Sequence, residues 1–114
     1  MRKILLLVII GLFAFQYFAY AHPPEKIETA FDSNTKILYV TITHPVDDPE
    51  SHFIKEVTIM LNDKEVIRHK INRQDNTLNQ ALSYMIPDAQ SGDEISIGAY
   101  CSIEGTLTEK ILVP

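Results

Sequence analysis

Glu94-Ile95-Ser96-Ile97-Gly98-Ala99-Tyr100-Cys101 puts Ile95, Ile97, Ala99 and Cys101 at alternate positions, so an extended backbone would carry all four on one face. Leu38, Val40, Ile42 and His44 alternate in the same way earlier in the chain. Outward from these two stripes, short stretches rich in Val, Ile, Thr and Tyr recur at residues 27–31, 36–44, 53–61, 65–71, 80–86, 94–101 and 106–113, divided by Asp, Asn, Gly and Pro. Seven such strands and no helical period predict an all-β chain, an immunoglobulin-like β-sandwich of about seven strands. Asp32-Ser33-Asn34-Thr35 and Asn62-Asp63-Lys64 read as hairpin turns.

Ahead of the strands, Met1-Arg2-Lys3, an apolar run from Ile4 to Phe15 and then Ala19-Tyr20-Ala21 have the order of a secretory signal peptide, residues 1–21. The run is shorter than the ~20 residues that span a bilayer, which disfavours an uncleaved anchor. Residues 22–114 are then the mature part, periplasmic or secreted and not embedded in a membrane. They suffice for one domain with one core. The chain has 15 acidic against 10 basic side chains. Without Arg2 and Lys3 the formal charge is about −7, which argues against nucleic acid or an anionic membrane as partner.

Cys101 is the single cysteine and so forms no internal disulfide; it is a buried small hydrophobe, an intermolecular link or a metal ligand. His44 and Cys101 each end an apolar stripe, so both are expected where the sandwich opens. His44-Pro45 and His52 flank a loop rich in Asp47, Asp48, Pro49 and Glu50. Imidazole and thiolate together suit a soft-to-borderline metal. Signal cleavage would leave His22 with both an imidazole and a free α-amine, a pair suited to Cu(II). His69, between Ile67 and Ile71, reads as an ordinary strand residue outside the site. No Ser-His-Asp arrangement or Gly-rich phosphate loop is present.

His22-Pro23, His44-Pro45, His52-Phe53-Ile54 and Tyr100-Cys101-Ser102-Ile103-Glu104-Gly105, in this order, resemble the iron-binding domain of the desulfoferrodoxin and superoxide reductase family over nearly all of residues 22–114. In that family histidines surround a mononuclear non-haem iron and a cysteine sulfur binds it axially. The resemblance implies His22, His44, His52 and Cys101 as ligands. Glu104 stands where the family has a further histidine, and as a hard oxygen donor it is a candidate fifth ligand. The family's Glu-Lys pair before the first histidine is replaced by Tyr20-Ala21. The activity implied is one-electron redox on a small anion such as superoxide, with an electron donor left open.

His52 to Ile59, Leu61-Asn62-Asp63-Lys64 and Gly92-Asp93-Glu94-Ile95 also resemble the immunoglobulin-like small subunit of the Sox carrier complex of thiosulfate oxidation, which binds a partner protein and no metal. Three functions therefore stand side by side: an iron redox protein, a binding module with a buried Cys101, and a periplasmic copper-binding protein using His22. Exposed strand edges could support a homodimer.

Overall fold

The alternating stretches fold into seven strands: β1 (Lys26–Asp32), β2 (Ile37–Thr43), β3 (Ile54–Leu61), β4 (Lys64–Lys70), β5 (Asn79–Met85), β6 (Glu94–Cys101) and β7 (Thr106–Leu112). The computed structural model describes residues 22–114; the expected signal segment, residues 1–21, lies outside them. Among the described residues no helix is long and apolar enough to cross a membrane. All strand pairs are antiparallel, in a three-stranded sheet β1-β2-β5 and a four-stranded sheet β4-β3-β6-β7. This is the two-sheet immunoglobulin-like sandwich expected from the alternation.

The turns follow from local chemistry. Asn62 and Asp63, both at positive φ (48° and 65°), make the two-residue connection between β3 and β4. That backbone suits the right-handed twist of a hairpin, and Asn and Asp tolerate it better than most residues. At the β1–β2 turn the Asp32 carboxylate accepts the Asn34 N–H at 2.9 Å. Lys36, expected to start the second strand, instead closes this turn at φ 62°, and its N–H reaches the Asp32 carbonyl at 2.7 Å.

The core lies between the sheets. Leu38 and Ile42 of β2, Ile54, Val57 and Ile59 of β3, and Ile95, Ile97 and Ala99 of β6 are fully buried in one cluster. Burying one such aliphatic side chain contributes roughly 1.5–3 kcal/mol, so the cluster dominates the stability of the fold. Ser96 and Gly98, on the opposite face of β6, are buried as well. A Cβ on Gly98 would lie 2.7 Å from Thr58 Oγ1, so the neighbouring strand's side chains close over this central strand.

Antiparallel pairing sets where the site can be. The start of β1 lies beside the end of β2, with Lys26 opposite Thr43 and the Glu25 N–H on the Thr43 carbonyl at 2.8 Å. In the other sheet the start of β3 lies beside the end of β6, with Ile54 opposite Cys101. Residues just before β1 and β3, and just after β2, therefore gather with the last residue of β6 at one end of the sandwich.

Candidate metal centre

His22, His44, His52 and Cys101 occupy those four positions. Donor atoms of His44, His52 and Cys101 all lie within 4.8 Å of one another. The His22 ring centroid is 5.4 Å from that of His44 and 5.6 Å from that of His52, and the His44 and His52 centroids are 4.8 Å apart. Glu104 is exposed on the turn after Cys101 and lies outside the three-residue group.

Local structure holds each side chain. β3 carries an irregularity between Ile54 and Glu56, which leaves Lys55 unpaired with β6. Such bulges bend a strand and re-aim its side chains. Beyond it the pairing resumes, with the Ser102 N–H on the Phe53 carbonyl at 2.8 Å and the Phe53 N–H on Ser102 Oγ at 3.1 Å. This fixes His52 beside Cys101, its Nε2 3.1 Å from Sγ. The preceding loop winds into a turn in which the His52 N–H reaches the Asp48 carbonyl at 2.9 Å.

Cys101 is 3 % exposed, and its N–H donates to the Gly105 carbonyl at 3.0 Å. The Ile103 N–H lies 3.5 Å from Sγ, a weak hydrogen bond that helps to fix the sulfur in the turn. Gly105 sits at φ 92° and its Cα packs against Pro23, where a Cβ would meet the Pro23 Cβ at 2.7 Å. The cysteine turn thus grips the segment that carries His22.

His22 and His44 are each anchored through Nδ1. The Nδ1–H of His22 donates to the Pro23 carbonyl at 3.1 Å, and His44 Nδ1 is 2.8 Å from Gln74 Oε1. In each ring the other nitrogen, Nε2, is left over. His44 is fully buried, and its Nε2 has no hydrogen-bond partner. A buried acceptor left unmade costs about 1–3 kcal/mol, a cost that a bound cation would remove. Desolvation first, then the neighbouring His44 and His22, push the His52 pKa below its usual value, while Asp47 opposes the shift. His52 is therefore biased towards the neutral form that a metal requires.

Solvent reaches this group from one side. An open cleft is lined by His22, His52, Asp47, Thr77 and Leu78, whereas His44 and Cys101 are buried behind it. No protein-family model matches the chain, and no curated protein matches it as a relative.

His69 stands apart. Its Nδ1 shares a hydrogen bond of 2.8 Å with the Tyr84 hydroxyl, and the rings meet edge to face at 5.7 Å. Burial raises the Tyr84 pKa, so the phenol stays protonated. Gln74, 3 % exposed, is the residue that sequence reading passes over. Asn72-Arg73-Gln74-Asp75-Asn76 has the composition of a solvated loop, and nothing in that run marks Gln74 as the one side chain turned inward.

Proposed function

We propose that this domain binds one mononuclear iron through His22, His44, His52 and Cys101 and acts as an exported one-electron redox protein on a small anion such as superoxide. The observation that carries the reading is the convergence of three donor atoms within 4.8 Å around a fully buried imidazole nitrogen without a partner. Neutral imidazoles and one thiolate suit iron, and the thiolate offsets one positive charge of the ion.

An iron held by His22, His44, His52 and Cys101 would supply one-electron chemistry, the reduction of superoxide with two solvent protons to hydrogen peroxide at the expense of an electron donor. The chain's own part is positional. Cys101 and His44 close the inner side, burial and the neighbouring imidazoles bias His52 towards its neutral form, and the His22–His52 cleft admits solvent and a small molecule. Glu104, on the exposed rim, is available to an ion that extends its coordination.

One observation favours copper as a second reading. Two histidines and one cysteine form the closest group, with His22 further out, and such a donor set also suits an electron-transfer copper site. Metal content and the visible spectrum decide between them. Protein purified without oxygen and then oxidised is expected to carry one iron per chain and a sulfur-to-iron charge-transfer band that C101S lacks. One copper with an intense thiolate band would select the second reading. A colourless protein that takes up neither metal would overturn both and leave a partner-binding sandwich.

A further inference from the structure

We propose that Gln74, in the β4–β5 loop, is the positioning residue that selects Nε2 of His44 as the metal-binding nitrogen. The inference rests on the metal-binding reading and names a residue of that site outside the ligand set.

The orientation of the Gln74 amide follows from its partners. Gln74 Nε2 lies 2.8 Å from the His44 carbonyl and 3.0 Å from the Asn76 carbonyl. Carbonyl oxygens only accept, so the NH2 group occupies that side. Oε1 must then face His44 Nδ1, 2.8 Å away, and an amide oxygen only accepts. His44 therefore carries its proton on Nδ1, and Nε2 presents a bare lone pair inside a fully buried ring. Without Gln74 the neutral ring would be free to place its proton on either nitrogen, and the Nε2–H form cannot bind a metal through that atom.

Gln74 is itself held. Its N–H donates to the Pro49 carbonyl at 3.0 Å, in the loop that leads to His52. The His44 N–H reaches the Leu78 carbonyl at 2.9 Å and the Val46 N–H the Thr77 carbonyl at 2.8 Å, so the loop around Gln74 is laced to both sides of the His44-Pro45 segment. Gln74 thus ties the β4–β5 loop to the ring and the backbone carbonyl of His44 through its side-chain amide, and to the loop before His52 through its backbone N–H.

The test reads tautomer and metal separately. Long-range proton–nitrogen correlation spectra of the metal-free chain at about pH 8, where imidazoles are neutral, should show His44 protonated on Nδ1. In Gln74→Met, which keeps the volume and loses the acceptor, His44 should shift towards the Nε2–H form. Co(II), titrated as a coloured probe, should bind Gln74→Met about 10–100-fold more weakly than wild type. Gln74→Glu, its buried carboxyl protonated towards the His44 and Asn76 carbonyls, keeps an acceptor oxygen for Nδ1–H, so it should keep the tautomer and bind Co(II) more tightly than Gln74→Met. If Gln74→Met does not fold, as judged by circular dichroism, Gln74→Glu against wild type remains decisive: loss of the Nδ1–H tautomer in it overturns the proposal. Unchanged tautomer and cobalt affinity in a folded Gln74→Met overturns it equally. A wild-type chain that binds no Co(II) would defeat the metal-binding reading, and the proposal with it.

Discussion

The His52 imidazole, two residues before β3, and the Cys101 thiol, at the end of β6, approach to 3.1 Å, next to the point where β3 breaks its regular pairing with β6. Neither strand alone creates the pair. The antiparallel register brings Ile54 opposite Cys101, and the two residues before Ile54 carry His52 over the sulfur. His44 arrives from the other sheet, so a bound ion would cross-link the two layers.

Cross-linking makes metal occupancy visible as stability. A ligand at 100 times its Kd adds about 2.7 kcal/mol to the folded state, which is about 10–20 °C in Tm for a domain of this size. Anaerobic Fe(II), or Co(II) as a redox-inert substitute, should raise Tm by that order, and a chelator should reverse it. In C101S and H44A the shift should largely vanish. An unchanged Tm at saturating metal would refute a site built between the sheets.

Burial of His52 beside two other imidazoles sets a pH dependence. Burial, His44 and His22 depress the His52 pKa, so the folded chain binds this proton less readily than the unfolded chain. At pH above the unfolded value of about 6.5 both states are neutral there and His52 costs nothing. As pH falls through 6.5 the unfolded state gains protons first, and metal-free stability declines until pH passes the lower folded value. Thermal melts of the metal-free chain between pH 8 and pH 5 should therefore show a loss on acidification that H52N reduces. The same slope in H52N would exclude His52 as its source.

Glu104 supplies a sharper test of the ligand set. It is exposed, and the His44, His52 and Cys101 group closes without it. Glu104→Gln should hold the cobalt affinity within a few-fold of wild type. A loss as large as that of H44A would make the carboxylate an obligatory ligand.

Residues whose roles are set locally are legible in the sequence, and those set by long-range neighbours are not. The stripes Leu38-Val40-Ile42 and Ile95-Ile97-Ala99 reveal the sheets because a period of two needs no knowledge of partners. They also aim His44 and Cys101 towards the same layer, since each continues its stripe. Lys36 misleads, because a strand-like neighbourhood hides a positive φ that only the turn geometry requires. The burial of Ser96 and Gly98 follows from β6 being central with Thr58 beside it, a matter of strand order. Gln74 is hidden for the same reason: its role exists only once two loops meet, and a polar run in sequence gives no hint of which amide turns inward.

The contact of Gly105 with Pro23 separates a structural from a functional cost. An alanine at Gly105 would face two penalties: φ of 92°, which disfavours any side chain, and a Cβ only 2.7 Å from the Pro23 Cβ and 2.9 Å from its Cα. Gly92 provides the control, because its φ is 89° and nothing lies within 4 Å of the added carbon. Backbone strain of this kind costs about 1–3 kcal/mol, so both G92A and G105A should lower the Tm. Only G105A must also push Pro23 away, and with it the adjacent His22. Cobalt affinity should therefore fall in G105A and stay at the wild-type level in G92A, while H22A should reproduce the loss seen in G105A. Equal cobalt affinities in G92A and G105A would mean that the Gly105–Pro23 contact does not hold His22 at the metal.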